Sequence, residues 1–263
     1  MFIVTPEMHR QWETDGYLLV SGLFNPHEMD LLGKVGKADQ ELASQIKERH
    51  DASGAITTLA LSNDLGEDIY SAIVRCPRVA NTMETLLGDE VYHYHHKMNM
   101  KAPYVGGAWE WHQDYGYWYG NGCLTPDMGS CFIAVDRATR ENGCLQVVRG
   151  SHKMGRIDHG KVADQTGADM ERVDEAMKVM ELVYVEMEPG DALFFHSNLL
   201  HRSDRNNSPN PRWVFICCYN TKSNNPYKES YHPRYSPLEI WSDSRVAEIG
   251  EAQLDQILSA KSG

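Results

Sequence analysis

From residue 90 onward the chain breaks into short β-rich stretches separated by turn signals, and this alternation constrains the fold more than any other feature. The stretches 91–100, 109–114, 130–136, 145–148, 182–186, 192–196 and 213–219 are rich in β-branched and aromatic residues. Asn142-Gly143 and Pro189-Gly190-Asp191 mark tight turns between them. Many short strands following a helical start predict a mainly β protein, a sandwich or barrel with flanking helices packed outside.

The helical start is read from its caps. Thr5-Pro6 is an N-cap followed by proline at the first helical position, and Gly16 ends that helix before a short strand at 17–20. Asn25-Pro26-His27-Glu28 combines a cap, a proline and a capping-box acid before a helix expected to run towards His50. A helical pair over about 67–87 is interrupted at Pro77. One long excursion, 153–180, interrupts the strands; its second half has good helix formers, and it reads either as a lid or as a surface excursion. A single domain over 1–263 is expected, with a helical part at about 1–88, a β core at about 89–222 and a C-terminal wrap at 223–263.

Charge narrows the partners. The net charge of −12 argues against nucleic acid and against anionic membrane surfaces, which both need a basic footprint. No stretch has the length of a membrane span, and the first residues lack a signal peptide's basic flank and apolar core. The six cysteines show no CxxC spacing, which suits a reducing, cytoplasmic setting. The expected partner is a small molecule, with monomer and homo-oligomer both open.

The sharpest chemistry lies in Trp111-His112-Gln113-Asp114. On a strand, residues two apart share a face, so His112 and Asp114 can converge on one ion. Imidazole nitrogen plus carboxylate oxygen suits iron(II) at an octahedral site with open positions. His201 is the best third ligand, with His196 its rival; twelve histidines make accidental pairs common. Arg212, eleven residues after His201 and at the start of the next strand, strengthens the case. Its guanidinium fork matches the far carboxylate of a dicarboxylate co-substrate.

The motifs His112-Gln113-Asp114, Glu141-Asn142-Gly143-Cys144-Leu145 with Gly150-Ser151-His152, and Pro189-Gly190-Asp191 with Phe194-Phe195-His196 stand in order along the chain. The stretch His201-Arg202-Ser203-Asp204-Arg205-Asn206-Asn207-Ser208 up to Arg212 fits H-x-S-x-x-N-x-S-x-x-x-R at every position. In these features the sequence resembles the phytanoyl-CoA dioxygenase family. That resemblance implies a double-stranded β-helix (jelly-roll, cupin-like) core and an Fe(II)- and 2-oxoglutarate-dependent hydroxylase that consumes O2 and releases succinate and CO2. It implies His112, Asp114 and His201 as the iron ligands and catalytic centre. Arg212 and Ser203 would take the distal carboxylate of 2-oxoglutarate, and Gln113, Phe132 and Lys97 fall at further co-substrate positions. Lys97 could instead reach an anionic substrate. The carboxylate of Asp114 points to hydroxylation rather than halogenation, with desaturation or cyclisation left to substrate placement.

The aromatic run Tyr115, Tyr117 and Trp118 reads either as a pocket wall, even a π-surface for a cationic or ring-bearing substrate, or as core. Arg156 and His159 open the excursion as polar substrate contacts or as a solvated edge. His93 and His95 share a strand face, so a second metal site is conceivable, with hydrogen bonding the default. The expected substrate is a small polar metabolite. Two other readings remain: a jelly-roll protein that binds a metal or small ligand without turnover, and a zinc hydrolase, which has no use for Arg212.

Overall fold

The computed structural model describes residues 2–262. Helix α1 (Pro6–Asp15) is capped by Thr5, whose hydroxyl accepts from the Met8 amide at 3.2 Å, and it ends at Gly16 in the left-handed region, φ 81°. Strand β1 (Tyr17–Val20) follows, then α2 (Pro26–Ala38), opened by the Asn25/Glu28 capping box. The helix does not reach His50. The Asp39 side chain recaps a five-residue α3 (Gln40–Ser44) by accepting from the amides of Glu41 and Leu42, and the chain then turns into β2 (Ile46–His50) and β3 (Ile56–Ser62). The polar, helix-tolerant sequence of β2 is overridden by its ladder, from Ile46 opposite Ala60 to His50 opposite Ile56. Helices α4 (Ile69–Arg75) and α5 (Pro77–Leu87) meet at Pro77 as expected.

Strand β4 (Val91–Lys101) opens the β core and is followed by β5 (Trp109–His112), α6 (Asp114–Trp118), β6 (Met128–Ala134) and β7 (Leu145–Val148). The excursion contains a hairpin, β8 (His159–Val162) with β9 (Gln165–Ala168), that its sequence did not announce, and then α7 (Met170–Val179). Strands β10 (Leu182–Val185), β11 (Ala192–His196), β12 (His201–Ser203) and β13 (Arg212–Thr221) complete the sheets. The tail ends in α8 (Arg245–Ser262), against α2 and α4, where only a wrap was expected.

Two antiparallel sheets form the jelly roll. The larger has the order β1-β11-β6-β13-β4-β3-β2 and the smaller β10-β7-β12-β5. The N-terminal third therefore contributes three strands to the large sheet. Leu193, Phe195, Val214 and Leu145 are among the buried residues of the core between the sheets. A second core covers the outer face of the large sheet with the helices, through Leu32, Ile73, Met83 and Val246 against Cys131, Phe194 and Cys217. The excursion packs outside the small sheet, with Val173 and Ala176 of α7 against Val148 and Trp111. Gly143 shows why the Asn142-Gly143 turn needs glycine: φ is 81° and a Cβ would collide with the Asp204 carbonyl oxygen. No helix among the described residues is long and apolar enough to cross a membrane.

Candidate active site

His112 ends β5 directly opposite His201 in β12, which brings the two rings to 4.1 Å between centroids. The Nδ1 of His112 lies 2.7 Å from the Glu110 carbonyl oxygen, and that of His201 lies 2.9 Å from Leu199 O. A carbonyl only accepts, so each Nδ1 carries the proton and each Nε2 presents a lone pair. Asp114 Oδ1 stands 3.9 Å from His112 Nε2 and 4.0 Å from His201 Nε2. Ligand atoms of the three residues all lie within 4.8 Å of one another, and no other such group occurs among the described residues. Burial, reinforced by the neighbouring His201, pushes His112 down to about 3; burial also lowers His201. Burial pushes the Asp114 carboxyl up, but Lys97 and the two histidines outweigh it and hold the carboxyl below its ordinary range. Two neutral imidazoles and one carboxylate, open on the cavity side, suit iron(II).

The alternation of the strand carries one residue past β5 and places Asp114 on the same side as His112. The strand stops at His112, Gln113 is extended, and Asp114 is the first residue of α6. Asp114 is oriented by Ser130 Oγ, which donates to Oδ2 at 3.0 Å, and by the Tyr117 hydroxyl, which donates to Oδ1 at 2.6 Å. His196 is elsewhere: its Nδ1 accepts from the Asn198 amide at 3.0 Å and its ring packs near Trp12 and His152. His93 and His96 bond to each other at 3.1 Å.

The metal group opens on a cavity of about 350 Å³ between the sheets. At one end Arg212, 1% exposed, points in from the start of β13. Its Nε and Nη1 have no hydrogen-bond partner, and neither do Ser203 Oγ and Asn99 Oδ1, which line the same cavity. Burial draws the guanidinium down to about 10, and it lies 5.8 Å from the centre of the Phe132 ring. A buried cation whose nitrogens lack hydrogen-bond partners is costly, by about 1–3 kcal/mol or more, even with the Asp136 carboxylate in electrostatic reach. The orphaned nitrogens and hydroxyl fit a carboxylate reaching out from the metal.

The other expected contacts divide. Lys97, Phe132, Tyr117 and Trp118 line the cavity. Gln113, Tyr115, Arg156 and His159 do not: the extended backbone at Gln113 turns its side chain to the face opposite His112, and Tyr115 lies on α6. The Gln113 carboxamide donates to the carbonyls of Gly155 and Asn198, both at 2.8 Å, and accepts from the Ile157 amide at 2.8 Å; it ties the excursion to the core. The Tyr115 hydroxyl donates to Cys123 O at 3.1 Å. His159 Nε2 accepts from the Gln113 amide at 2.9 Å, and its ring sits where a Cβ on Gly116 would be. Arg156 lies over the Tyr119 ring at 4.7 Å. The excursion still reaches the cavity, through Asp164, Gln165 and Thr166 at the hairpin tip. Sequence reasoning missed Asn99, Trp109, Ser130, Tyr231 and His232. Ser130 and Asn99 had a signal, since each lies two residues from a named site residue on one strand face.

A two-sheet barrel with this donor set and this arginine defines a non-haem iron, 2-oxoglutarate-dependent oxygenase. The chain belongs to the phytanoyl-CoA dioxygenase (PhyH) family, whose model matches residues 12–214. It is similar to L-proline trans-4-hydroxylase of Streptomyces griseoviridis, 29% identical over 247 residues that cover 88% of this chain and 90% of that one. It is also 29% identical to ectoine dioxygenase of Bordetella bronchiseptica over 248 residues, covering 86% and 79%. The crystal structure of EctD from S. alaskensis with 2-oxoglutarate and 5-hydroxyectoine superposes with a TM-score of 0.77 at 23% identity, over 91% of this chain and 88% of that one. The protein is an Fe(II)- and 2-oxoglutarate-dependent dioxygenase that uses O2 to hydroxylate a small metabolite.

Proposed function

We propose that His112, Asp114 and His201 hold the iron, that Arg212 and Ser203 hold the distal carboxylate of 2-oxoglutarate against Phe132, and that the substrate is a small polar metabolite taken up in the rest of the cavity. The observation that carries this reading is the buried, unpartnered Arg212 guanidinium in the cavity that the metal group faces. Iron with 2-oxoglutarate and O2 supplies oxidative decarboxylation and the oxidation of a C–H bond. The residues supply position. The Glu110 and Leu199 carbonyls fix both imidazole tautomers, so both Nε2 atoms are ready to ligate without losing a proton. Tyr117 and Ser130 aim the Asp114 carboxylate. Phe132, Phe195, Ile216 and Leu145 keep the middle of the cavity apolar, which limits water around the reacting carbon.

The family relatives that act on proline and on ectoine support a substrate of that size. The acidic surface speaks against nucleic acid and membrane partners, and six buried, unpaired cysteines support a reducing, cytoplasmic setting. The test is an anaerobic titration of apo-protein with iron(II) and then 2-oxoglutarate, followed by the weak visible charge-transfer band of the chelate. The band is expected in wild type and in His196→Ala, and is lost or weakened in His201→Ala and Arg212→Ala. A folded, iron-loaded wild type without the band would remove the co-substrate assignment.

A further inference from the structure

Beyond the metal and Arg212, the cavity has a second polar end. On the inner face of β4 the side chains of Asn99, Lys97 and His95 follow one another into the cavity. Lys101, four residues beyond Lys97, stands opposite Arg212, which sets Lys97 about 13 Å along the strand from the arginine end. Lys97 nonetheless lines the same cavity as His112, Asp114 and His201, and its charge helps hold the Asp114 carboxyl down. Its amine has no hydrogen-bond or ion-pair partner among the described residues. Next to it, His95 is 2% exposed and its Nδ1 has no partner; the Trp118 Nε1 is likewise buried and unpartnered. Trp118 meets the His95 ring edge-on at 5.6 Å. At the mouth, Arg49 adds a second cation, and the charges of Arg49 and Lys97 both reach the Tyr231 hydroxyl.

Groups that would recognise a cation are committed elsewhere. Of the two carboxylates lining the cavity, Asp114 belongs to the metal group and Asp164 is held by His50 at 2.5 Å. The Tyr117 ring stacks on His112 and the Tyr231 ring packs on His232, so each has one face occupied by an imidazole. We propose that Lys97, with His95 and Trp118, forms an oxyanion subsite, and that the substrate is a small net anion, a carboxylate or phosphonate without a neighbouring ammonium group. This rests on the co-substrate reading, because Arg212 must be reserved for 2-oxoglutarate if Lys97 is to face the substrate.

The test uses the iron(II)- and 2-oxoglutarate-loaded protein without oxygen, and the metal-free protein in parallel. Butyrate, propylphosphonate and 2-aminobutyrate are titrated as probes and followed by tryptophan fluorescence. The two anions are expected to bind, with 2-aminobutyrate at least about tenfold weaker, and the ratio of the two anion affinities names the preferred head group. Lys97→Met should weaken both anions by about tenfold to a hundredfold, the range of a charge-assisted hydrogen bond. Lys97→Arg should restore them, and neither change should move the 2-oxoglutarate dependence of the charge-transfer band. Equal or tighter binding of 2-aminobutyrate overturns the proposal, as does a wild type that binds neither anion. Loss of the band in Lys97→Met with anion binding intact would assign the lysine to the co-substrate instead. If wild type gives no band while the metal-free protein still binds anions through Lys97, the co-substrate reading fails and the subsite stands.

Discussion

Lys101 and Arg212 stand opposite each other on neighbouring strands, both buried, in contrary surroundings. They are partners in the β4–β13 register, 0% and 1% exposed. The Lys101 ammonium donates to the Gly107 carbonyl at 2.5 Å and the Asp204 carbonyl at 2.6 Å. Two nitrogens of the Arg212 guanidinium have no partner. A buried charge that the protein satisfies itself fastens structure: Lys101 joins the loop before β5 to the segment after β12, the two strands that bear His112 and His201. A buried charge left unsatisfied is a standing cost that only a ligand removes. The contrast explains how two equally hidden cations take different jobs.

The largest expected effect follows from Arg212. Arg212→Met should weaken 2-oxoglutarate binding by about a hundredfold or more, since two charge-assisted bonds are lost. It should not destabilise the ligand-free protein, and removal of an unpaired buried charge is expected to raise its stability by about 1–3 kcal/mol. Isothermal titration and urea unfolding on one preparation check both halves. If Arg212→Met unfolds as easily as a Lys101 variant, the contrast is broken.

The converse change is Lys101→Met. It orphans two carbonyl oxygens in a buried loop junction, so a loss of about 3 kcal/mol in unfolding free energy is expected, with 2-oxoglutarate affinity per folded molecule nearly unchanged. Ligand linkage sharpens the pair further. With iron(II) present, 2-oxoglutarate at a hundred times its Kd should stabilise wild type and Lys101→Met alike by about 2.7 kcal/mol. The same concentration should leave Arg212→Met almost unmoved.

The contrast also shows what a sequence reader can and cannot see. Arg212 was legible because it sits at a fixed distance from His201 and at the start of a strand. The triad was legible by residue type and by the two-residue spacing of His112 and Asp114, which the extended Gln113 preserves up to the first residue of α6. Lys101 was invisible: one lysine at a strand end looks exposed, and only the fold brings two carbonyls to it. The same limit hid β2, whose Ile46-Lys47-Glu48-Arg49-His50 has no strand signature until it pairs with β3. Gln113 misled in the opposite direction. Its place between two ligands suggested the co-substrate, but a carboxamide can saturate itself on three backbone groups, and here it does.

The same strand carries a third kind of buried base, kept neutral. His96 on β4 is 6% exposed, its Nδ1 lies 3.1 Å from His93 Nε2, and burial pushes it down to about 4. Its folded value lies below the unfolded value of about 6.5, so the unfolded chain takes up the proton first. The stability it contributes is therefore complete above about pH 6.5 and is lost as pH falls towards 4. At pH 5.5 the loss from this one site is about 1.4 kcal/mol. His96→Gln keeps a donor for His93 and removes the titration, so its unfolding free energy should fall by that much less than wild type between pH 7.5 and 5.5. Arg212, held down by burial only to about 10, stays charged over this range and adds no slope of its own. An unchanged slope in His96→Gln would mean that water reaches the His93–His96 pair in the folded protein, and burial on β4 would then not separate its bases into neutral and charged as the contrast requires.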